Sequence, residues 1–365
     1  MSLIIKKKST QFIETGYPQK NKAFSRNFRY DFKYYTNRLR DSLILNPFSG
    51  SNMVGVTYAN NKLTDGAGAQ LQRIYGIYSL SRLLNLPYIH SPLTELSYQG
   101  LIALENKSSS EYLVSDYNKI FNIPSDIELP SKYIIYDVNE INLRIRTFER
   151  LKQKAAKKRI FILAQIVNPY GITDTYPEAY RVVKDISPFP FKRSEVFRVA
   201  IHVRRGELFL LDKYRNRMLP NNYYISVAQG LDNILQELKL NYVFELYTEV
   251  PSKIFTATPT NYSLISDEIT VDPEWNKIEE FDLIPNLQKF INSNPIDTLE
   301  RMATANVLIM SHSSFSYVAA LLNKKGLILY NKFWSSPLKN WLTVKDSGNF
   351  SKRECLARLK DTGVT

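Results

Sequence analysis

Phe197-Arg198-Val199-Ala200-Ile201-His202-Val203-Arg204-Arg205-Gly206-Glu207 is the stretch that decides the fold. Phe197 to Val203 is an apolar run of strand length, and it stops abruptly at two arginines, a glycine and an acid. A buried strand therefore ends there and a polar loop begins. In open α/β sheets the carboxyl ends of the strands are where ligands bind, so the location points to function before the residues are considered.

Working downstream, Asn221 to Leu240 has the periodicity of an amphipathic helix, Val243 to Thr248 reads as a strand, and Ile296 to Ala303 as a helix. Val307 to Met310 is a strand, Phe315 to Leu322 a helix, and Gly326 to Tyr330 a closing strand. Upstream, Met53 to Tyr58 reads as a strand, Asp65 to Gln70 as a glycine-containing turn, and Leu71 to Leu84 as a helix stopped by Pro87. Tyr88 to His90, Tyr133 to Val138 and Ile160 to Val167 continue the strands, with a basic helix from Asn139 to Lys158 between the last two. Strands alternating with helices predict parallel sheets. The expected fold class is α/β, with two Rossmann-like domains facing a cleft.

Length supports two domains, because 365 residues exceed what one core usually encloses. The proline-punctuated Ser187 to Phe191 is the preferred boundary. The predicted organisation is a basic arm over 1–50, an N-terminal α/β domain over 51–190, and a C-terminal Rossmann-like domain over 191–345. Residues 346–365 form a tail or helix packing back, and final helices near Trp334 to Arg358 are expected to return across the cleft.

A net charge of +13 implies an anionic partner: nucleic acid, an anionic membrane surface or a phosphate-bearing small substrate. The charge also fits a merely AT-rich coding bias. Cys355 is the only cysteine, so an intrachain disulfide and an all-cysteine metal cluster are both excluded. His90, His202 and His312 have no metal-ligand spacing. The basic residues after Met1 to Ile5 reverse the order of a secretory signal, and no later apolar run has spanning length, which predicts a soluble, cytoplasmic chain.

Two adjacent arginines leaving a strand point different ways. One can aim a planar guanidinium at a diphosphate while the other anchors the loop. Ser311-His312-Ser313-Ser314-Phe315 follows the strand Val307 to Met310 and opens an apolar helix, so hydroxyls and backbone amides collect at a helix N-terminus that suits an anion. Surface ion pairing and plain N-capping are the ordinary alternatives for these two motifs. Asp65-Gly66-Ala67-Gly68-Ala69-Gln70 lacks the third glycine of a dinucleotide fingerprint. No Asp-x-Asp occurs to hold a diphosphate-bridging metal, so arginine and helix-end amides are expected to do that work.

These motifs together resemble the fucosyltransferase superfamily that includes bacterial and plant α-1,2 enzymes, nodulation fucosyltransferases and core α-1,6 enzymes. The shared His-x-Arg-Arg-x-Asp motif is similar to His202 to Glu207, with Glu207 in place of the usual Asp. Asp297, Ala305-Asn306, the strand Val307 to Met310 and Ser313-Ser314-Phe315 resemble the later family region in order and spacing. The resemblance implies that Arg204 holds the β-phosphate and that His202 contacts the nucleotide. It also implies that Asp297 accepts from guanine and that Ser313, Ser314 and the Phe315 amide complete the cradle. By the same resemblance Arg205 belongs to the motif, Thr248 would lie near the nucleotide, and Gly66, Ala67, Gly68 and Gln70 would form the family's glycine-rich first loop. It further implies a GT-B-like fold, with the domain over 51–190 on the acceptor side and the domain over 191–345 binding GDP-sugar.

The implied reaction is inverting transfer of fucose from GDP-fucose to a hydroxyl of an oligosaccharide or glycoconjugate, with no metal and no cofactor beyond the donor. Arg204 stabilises the leaving group, and Asp212 or Glu207 takes the acceptor proton. The open alternatives are another GDP-sugar, or a non-catalytic basic protein binding nucleic acid or glycan. The motifs argue against nucleic acid as a partner and leave weak contact with an anionic membrane open.

Overall fold

A computed structural model describes residues 53–60, 65–106, 111–190, 196–206, 208, 217–257 and 269–361. The arm over 1–50 and the two candidate bases, Glu207 and Asp212, lie outside the described residues. Residues Gly50–Thr365 form one compact unit.

The first part of that unit contains β1 (Val54–Tyr58), α1 (Ala67–Leu84), α2 (Leu101–Glu105), α3 (Glu111–Ile120), β2 (Tyr133–Val138), α4 (Ile145–Lys158), β3 (Phe161–Ile166) and α5 (Tyr170–Thr173). A 3-10 stretch, Pro177–Ile186, follows. The remainder contains β4 (Phe197–His202), α6 (Asn221–Glu237), β5 (Tyr242–Thr248), β6 (Phe255–Ala257), β7 (Ile269–Val271), β8 (Leu287–Ile291), α7 (Pro295–Ala303), β9 (Val307–Ile309), α8 (Ser314–Leu322), β10 (Leu327–Asn331), β11 (Leu342–Val344) and α9 (Lys352–Asp361).

The strands make two larger sheets. One has the order β1-β3-β2, the other β11-β10-β9-β4-β5-β8, and every pairing in both is parallel. The α/β expectation is met. β6 and β7 form a separate antiparallel pair.

Local chemistry sets the elements. In α6, Tyr223, Tyr224, Val227, Ala228, Leu231, Ile234 and Leu235 are buried at helical spacing, and they pack with Val199, Ile201, Phe244 and Leu246 into one core. In α4 only Ile145, Phe148, Leu151 and Ala155 are buried, so its many lysines and arginines form the solvated face of an amphipathic helix. That helix begins later than Asn139, because Asn139 and Asn142 bond each other's backbone in a turn. Asn85, in left-handed conformation at φ 50°, ends α1 two residues before Pro87.

Several sequence expectations change. Asp65 to Gln70 is not all turn, since helix α1 begins at Ala67. Tyr88 to His90 makes one bridge, Val56 to Tyr88, and no strand. The strand β8 was not anticipated: it lies at the sheet edge, where Leu287–Ile291 is only half-buried and shows no apolar run. The segment from Trp334 onward forms β11 and then α9, which packs Cys355 and Leu359 into the core shared with α6. The connection before β11 is what reaches toward the first sheet, with Ser336 Oγ donating to Asp174 O at 3.0 Å and Lys339 N to Glu178 Oε1 at 2.7 Å. Among the described residues no helix is long and apolar enough to cross a membrane.

Helix α7 is fastened to the large sheet by charge. Glu245 on β5 is buried, and its carboxylate accepts from Arg198 Nε of β4 at 3.2 Å and from Arg301 of α7. The Tyr247 hydroxyl donates to the same carboxylate at 2.7 Å and accepts from Arg301 Nε at 2.8 Å. A buried carboxylate is tolerated only when matched in this way. Glu245→Ala leaves Arg198 and Arg301 without their anion and is expected to cost about 3 kcal/mol of stability. Urea unfolding followed by circular dichroism measures this, and a cost within error of zero removes Glu245 as the fastening of α7.

Candidate functional site

The large sheet reverses direction between β4 and β9. From β4 the chain passes through α6 to β5 on one side, and from β9 it passes through α8 to β10 on the other. A crevice opens at such a switch point, outside the carboxyl ends of the two strands. β4 and β9 pair directly, Ile201 opposite Ile309, so their next residues emerge side by side.

Those residues are His202 to Arg205 and Ser311 to Phe315. Ser311 Oγ and His202 Nδ1 share a hydrogen bond at 2.7 Å, and the His202 ring stands 5.7 Å from that of Phe315. Arg204 Nη1 donates to His312 O at 3.4 Å. His312 itself is anchored away from the crevice, with Nε2 2.6 Å from Asn331 Oδ1 and its ring stacked on Phe333. Burial, reinforced by the positive charges of Arg204 and Arg205, pushes the His202 pKa down to about 3. The imidazole is therefore neutral at physiological pH, and Arg204 is the partly exposed cation beside it.

The two arginines divide as their geometry requires. Arg204 is partly exposed, whereas Arg205 is 6% exposed, donates from Nη1 to Arg204 O at 2.9 Å and binds the Asn221 side chain. Asn221 in turn donates to Glu280 Oε2 at 2.9 Å. Arg205 thus anchors the loop rather than presenting itself to a ligand. Thr248 also turns inward, its hydroxyl donating to Val203 O at 2.8 Å and tying the ends of β4 and β5 together. Gly206, at φ 44°, lets the loop pass Glu249, whose Oε2 would clash with a Cβ there. Glu249 accepts from Tyr98 Oη at 3.0 Å and Leu101 N at 3.1 Å.

The glycine-rich segment comes to the same place from the first sheet. A Cβ on Gly68 would lie 2.5 Å from Phe315 N and 2.6 Å from Phe315 Cα, so the first turns of α1 and α8 touch backbone to backbone. Gly66 caps α1 in extended conformation without a side-chain cap bond, and neither helix has an acid in its first turn. Gly66 and Ala67 are partly exposed there. Ser313 does cap α8, accepting from Phe315 N at 3.1 Å, and Ser314 follows as its first helical residue. Two positive helix ends thus converge beside Arg204, an arrangement that favours an anion.

Gln70 supports the loop from beneath. It is buried, and Nε2 donates to Asp65 O at 2.9 Å and Glu95 O at 2.7 Å. Arg73, which sequence reasoning passed over, is 6% exposed and pairs with Asp65 at 2.9 Å. Its one signal is its place two helical turns after Gly66, on the same face. Asp297 is exposed in the first turn of α7, where Asn294 supplies the cap by accepting from Ile296 N at 2.8 Å. It opens at the same end of the sheet as Arg204, because all the strands run parallel.

Neither a protein-family model nor a curated protein sequence matches the chain. Among solved structures it is similar to POFUT1 in complex with GDP-fucose, with 10% identity and a TM-score of 0.39, covering 77% of this chain and 97% of that one. It is also similar to E. coli ADP-heptose LPS heptosyltransferase II, with 11% identity and a TM-score of 0.35, covering 85% of this chain and 98% of that one. Likeness at these scores is no evidence of a shared activity.

The contact at Gly68 predicts that Gly68→Ala, despite its better helix propensity, lowers stability by about 1–3 kcal/mol, because the methyl meets backbone that cannot rotate away. Gly66→Ala is expected to be close to neutral, since the nearest atom to its Cβ, Tyr98 Cβ, lies at 3.9 Å. Thermal melting of the pair decides it, and equal melting temperatures contradict the close approach. The depressed His202 pKa gives a second expectation. The unfolded chain takes up a proton below the ordinary histidine value of 6.5 while the folded chain resists it down to about 3, so this stabilisation is complete above 6.5 and is lost as pH falls. His202→Asn should therefore flatten the acid-side decline in stability between those values. Parallel curves for the two proteins would show that His202 titrates normally.

Proposed function

We propose that the chain is a GT-B-like glycosyltransferase that takes a GDP-sugar, GDP-fucose in the first instance, and transfers the sugar to a hydroxyl of an oligosaccharide or glycoconjugate. The observation that carries the reading is the meeting of two helix N-termini, at Gly68 and Phe315, beside Arg204. A departing nucleoside diphosphate needs that kind of charge, and amides fixed in place stabilise it without reorganising.

In this reading Arg204 and the Ser314 amide hold the diphosphate, while the Phe315 amide, expected in the cradle, is taken by the Ser313 cap and covered by Gly68. Neutral His202, fixed by Ser311, offers a hydrogen bond without adding charge. The exposed carboxylate of Asp297 accepts two parallel hydrogen bonds from the guanine N1 and N2 edge, which adenine lacks. Leaving-group charge is met by protein groups, so transfer proceeds without a metal. The acceptor hydroxyl attacks the anomeric carbon in line with the departing GDP, and Asp212 or Glu207 takes its proton. Arg205, Thr248 and Gln70 serve the site by holding its loops.

Calorimetric titration with GDP, ADP and UDP in EDTA tests the reading on the wild type, Arg204→Ala and Asp297→Asn. GDP alone is expected to bind the wild type. Arg204→Ala is expected to weaken it by about 10- to 100-fold, the ~1.5–3 kcal/mol of a charged hydrogen bond, and Asp297→Asn to abolish the preference for guanine. Equal binding of all three nucleotides through Asp297→Asn, or no binding at all, overturns the proposal.

A further inference from the structure

At the opposite end of the large sheet lies a second cationic hollow that the proposed transfer does not use. It has a volume of about 620 Å³ and is lined by Arg181, Lys184, Lys324, Lys325, Arg358 and Trp341. Lys324 and Lys325 sit in the turn just before β10, whereas Arg204 sits just after β4, and the strands are parallel. The two sites are therefore separated by the length of the sheet.

The cations arrive from three separate elements: Arg181 and Lys184 from the 3-10 stretch, the two lysines from the α8–β10 turn, and Arg358 from α9. A helix C-terminus attracts lysines for its own sake, which accounts for the pair after α8. It does not account for Arg181, Lys184 and Arg358 converging on them. Two carboxylates stand nearby, and each is matched to an arginine: Glu178 to Arg181 and Glu354 to Arg358. Among the described residues no carboxylate lies within ion-pair distance of Lys184 or Lys324.

The hollow is also built firmly. The turn is pinned by Asn323, whose Oδ1 accepts from Lys325 N at 3.1 Å and whose Nδ2 donates to Ala305 O at 2.9 Å. Arg358 is steered by donation from Nη1 to Lys339 O at 3.3 Å. Trp341 makes a rigid wall, 4% exposed and edge-on to Tyr317 at 5.1 Å. Glu178 and Glu354 offset the two arginines, and the concave site focuses the positive potential of Lys184 and Lys324.

We infer that this hollow binds a phosphoryl group on a ligand of sugar-phosphate size. The volume lies in the range of small-molecule sites and exceeds what a bare phosphate fills. The lysines supply point charges for phosphate oxygens, and Arg181 and Arg358, each paired with a glutamate, fix the rim around them. A soluble phosphate ester and a phosphorylated lipid headgroup present the same chemistry.

The test is titration of inorganic pyrophosphate into the Arg204→Ala chain, in which the crevice at β4 and β9 is weakened. One binding event is expected, and Lys184→Glu with Lys324→Glu should weaken it at least about tenfold. Lys157→Glu with Lys253→Glu, which changes net charge equally elsewhere, should leave it unchanged. All four lysines are exposed, so melting temperatures should stay at the parent value. Absence of binding in the Arg204→Ala chain, or binding indifferent to the Lys184 and Lys324 reversals, overturns the inference. Flotation with phosphatidylcholine vesicles containing phosphatidylinositol 4-phosphate then separates the sources. Flotation lost on the reversals assigns a headgroup, and no flotation with pyrophosphate binding intact assigns a soluble ester. This outcome is independent of GDP binding, so either proposal can fail alone.

Discussion

Backbone contact between the first turn of α1 and the first turn of α8 is the constraint on which the rest of the molecule depends. Helix α1 is buried along nearly its whole length, with Leu71, Ile74, Ile77 and Leu80 in the core and polar Gln70, Ser79 and Ser81 hydrogen-bonded to backbone carbonyls. It belongs to the first sheet by sequence, yet Gln72 donates to Ser335 Oγ at 2.8 Å and Gly68 abuts Phe315. One helix thereby sets how two independently patterned α/β halves meet. The crevice at the β4–β9 reversal acquires its second wall only through that contact.

Much of this was legible in the sequence, for reasons that can be named. The apolar run into Arg204 gave β4 and the position of its loop, because a parallel strand buried on both faces has no polar alternation to confuse it. The start of α1 was hidden, since Gly66, Ala67 and Gly68 carry no hydrophobic period. They are small because backbone must approach there, and close approach leaves no mark in a pattern of side-chain polarity. The edge strand β8 and the three-residue β11 were invisible for the opposite reason, being too exposed or too short to make a run.

At the site the sequence supplied residue types but not directions. Arg204 and Arg205 are chemically identical, and only the fold turns one outward and the other onto Asn221. Thr248 and Gln70 have the donors a ligand could use, yet both are taken by backbone carbonyls. Three arginines are matched in three ways: half-buried Arg198 on a buried carboxylate, buried Arg205 on neutral oxygens, and buried Arg73 on a half-exposed aspartate. A net charge of +13 contains none of that sorting.

The pairing of β4 with β9 has a kinetic side as well. Arg204 and His312 meet across 108 residues of chain, and Gly68 meets Phe315 across a longer span still. Closing such loops costs entropy that local contacts do not repay until the strands join. During synthesis the stretch containing Arg204 emerges well before its partner strand exists. The crevice therefore cannot close until β9 and the start of α8 have been made.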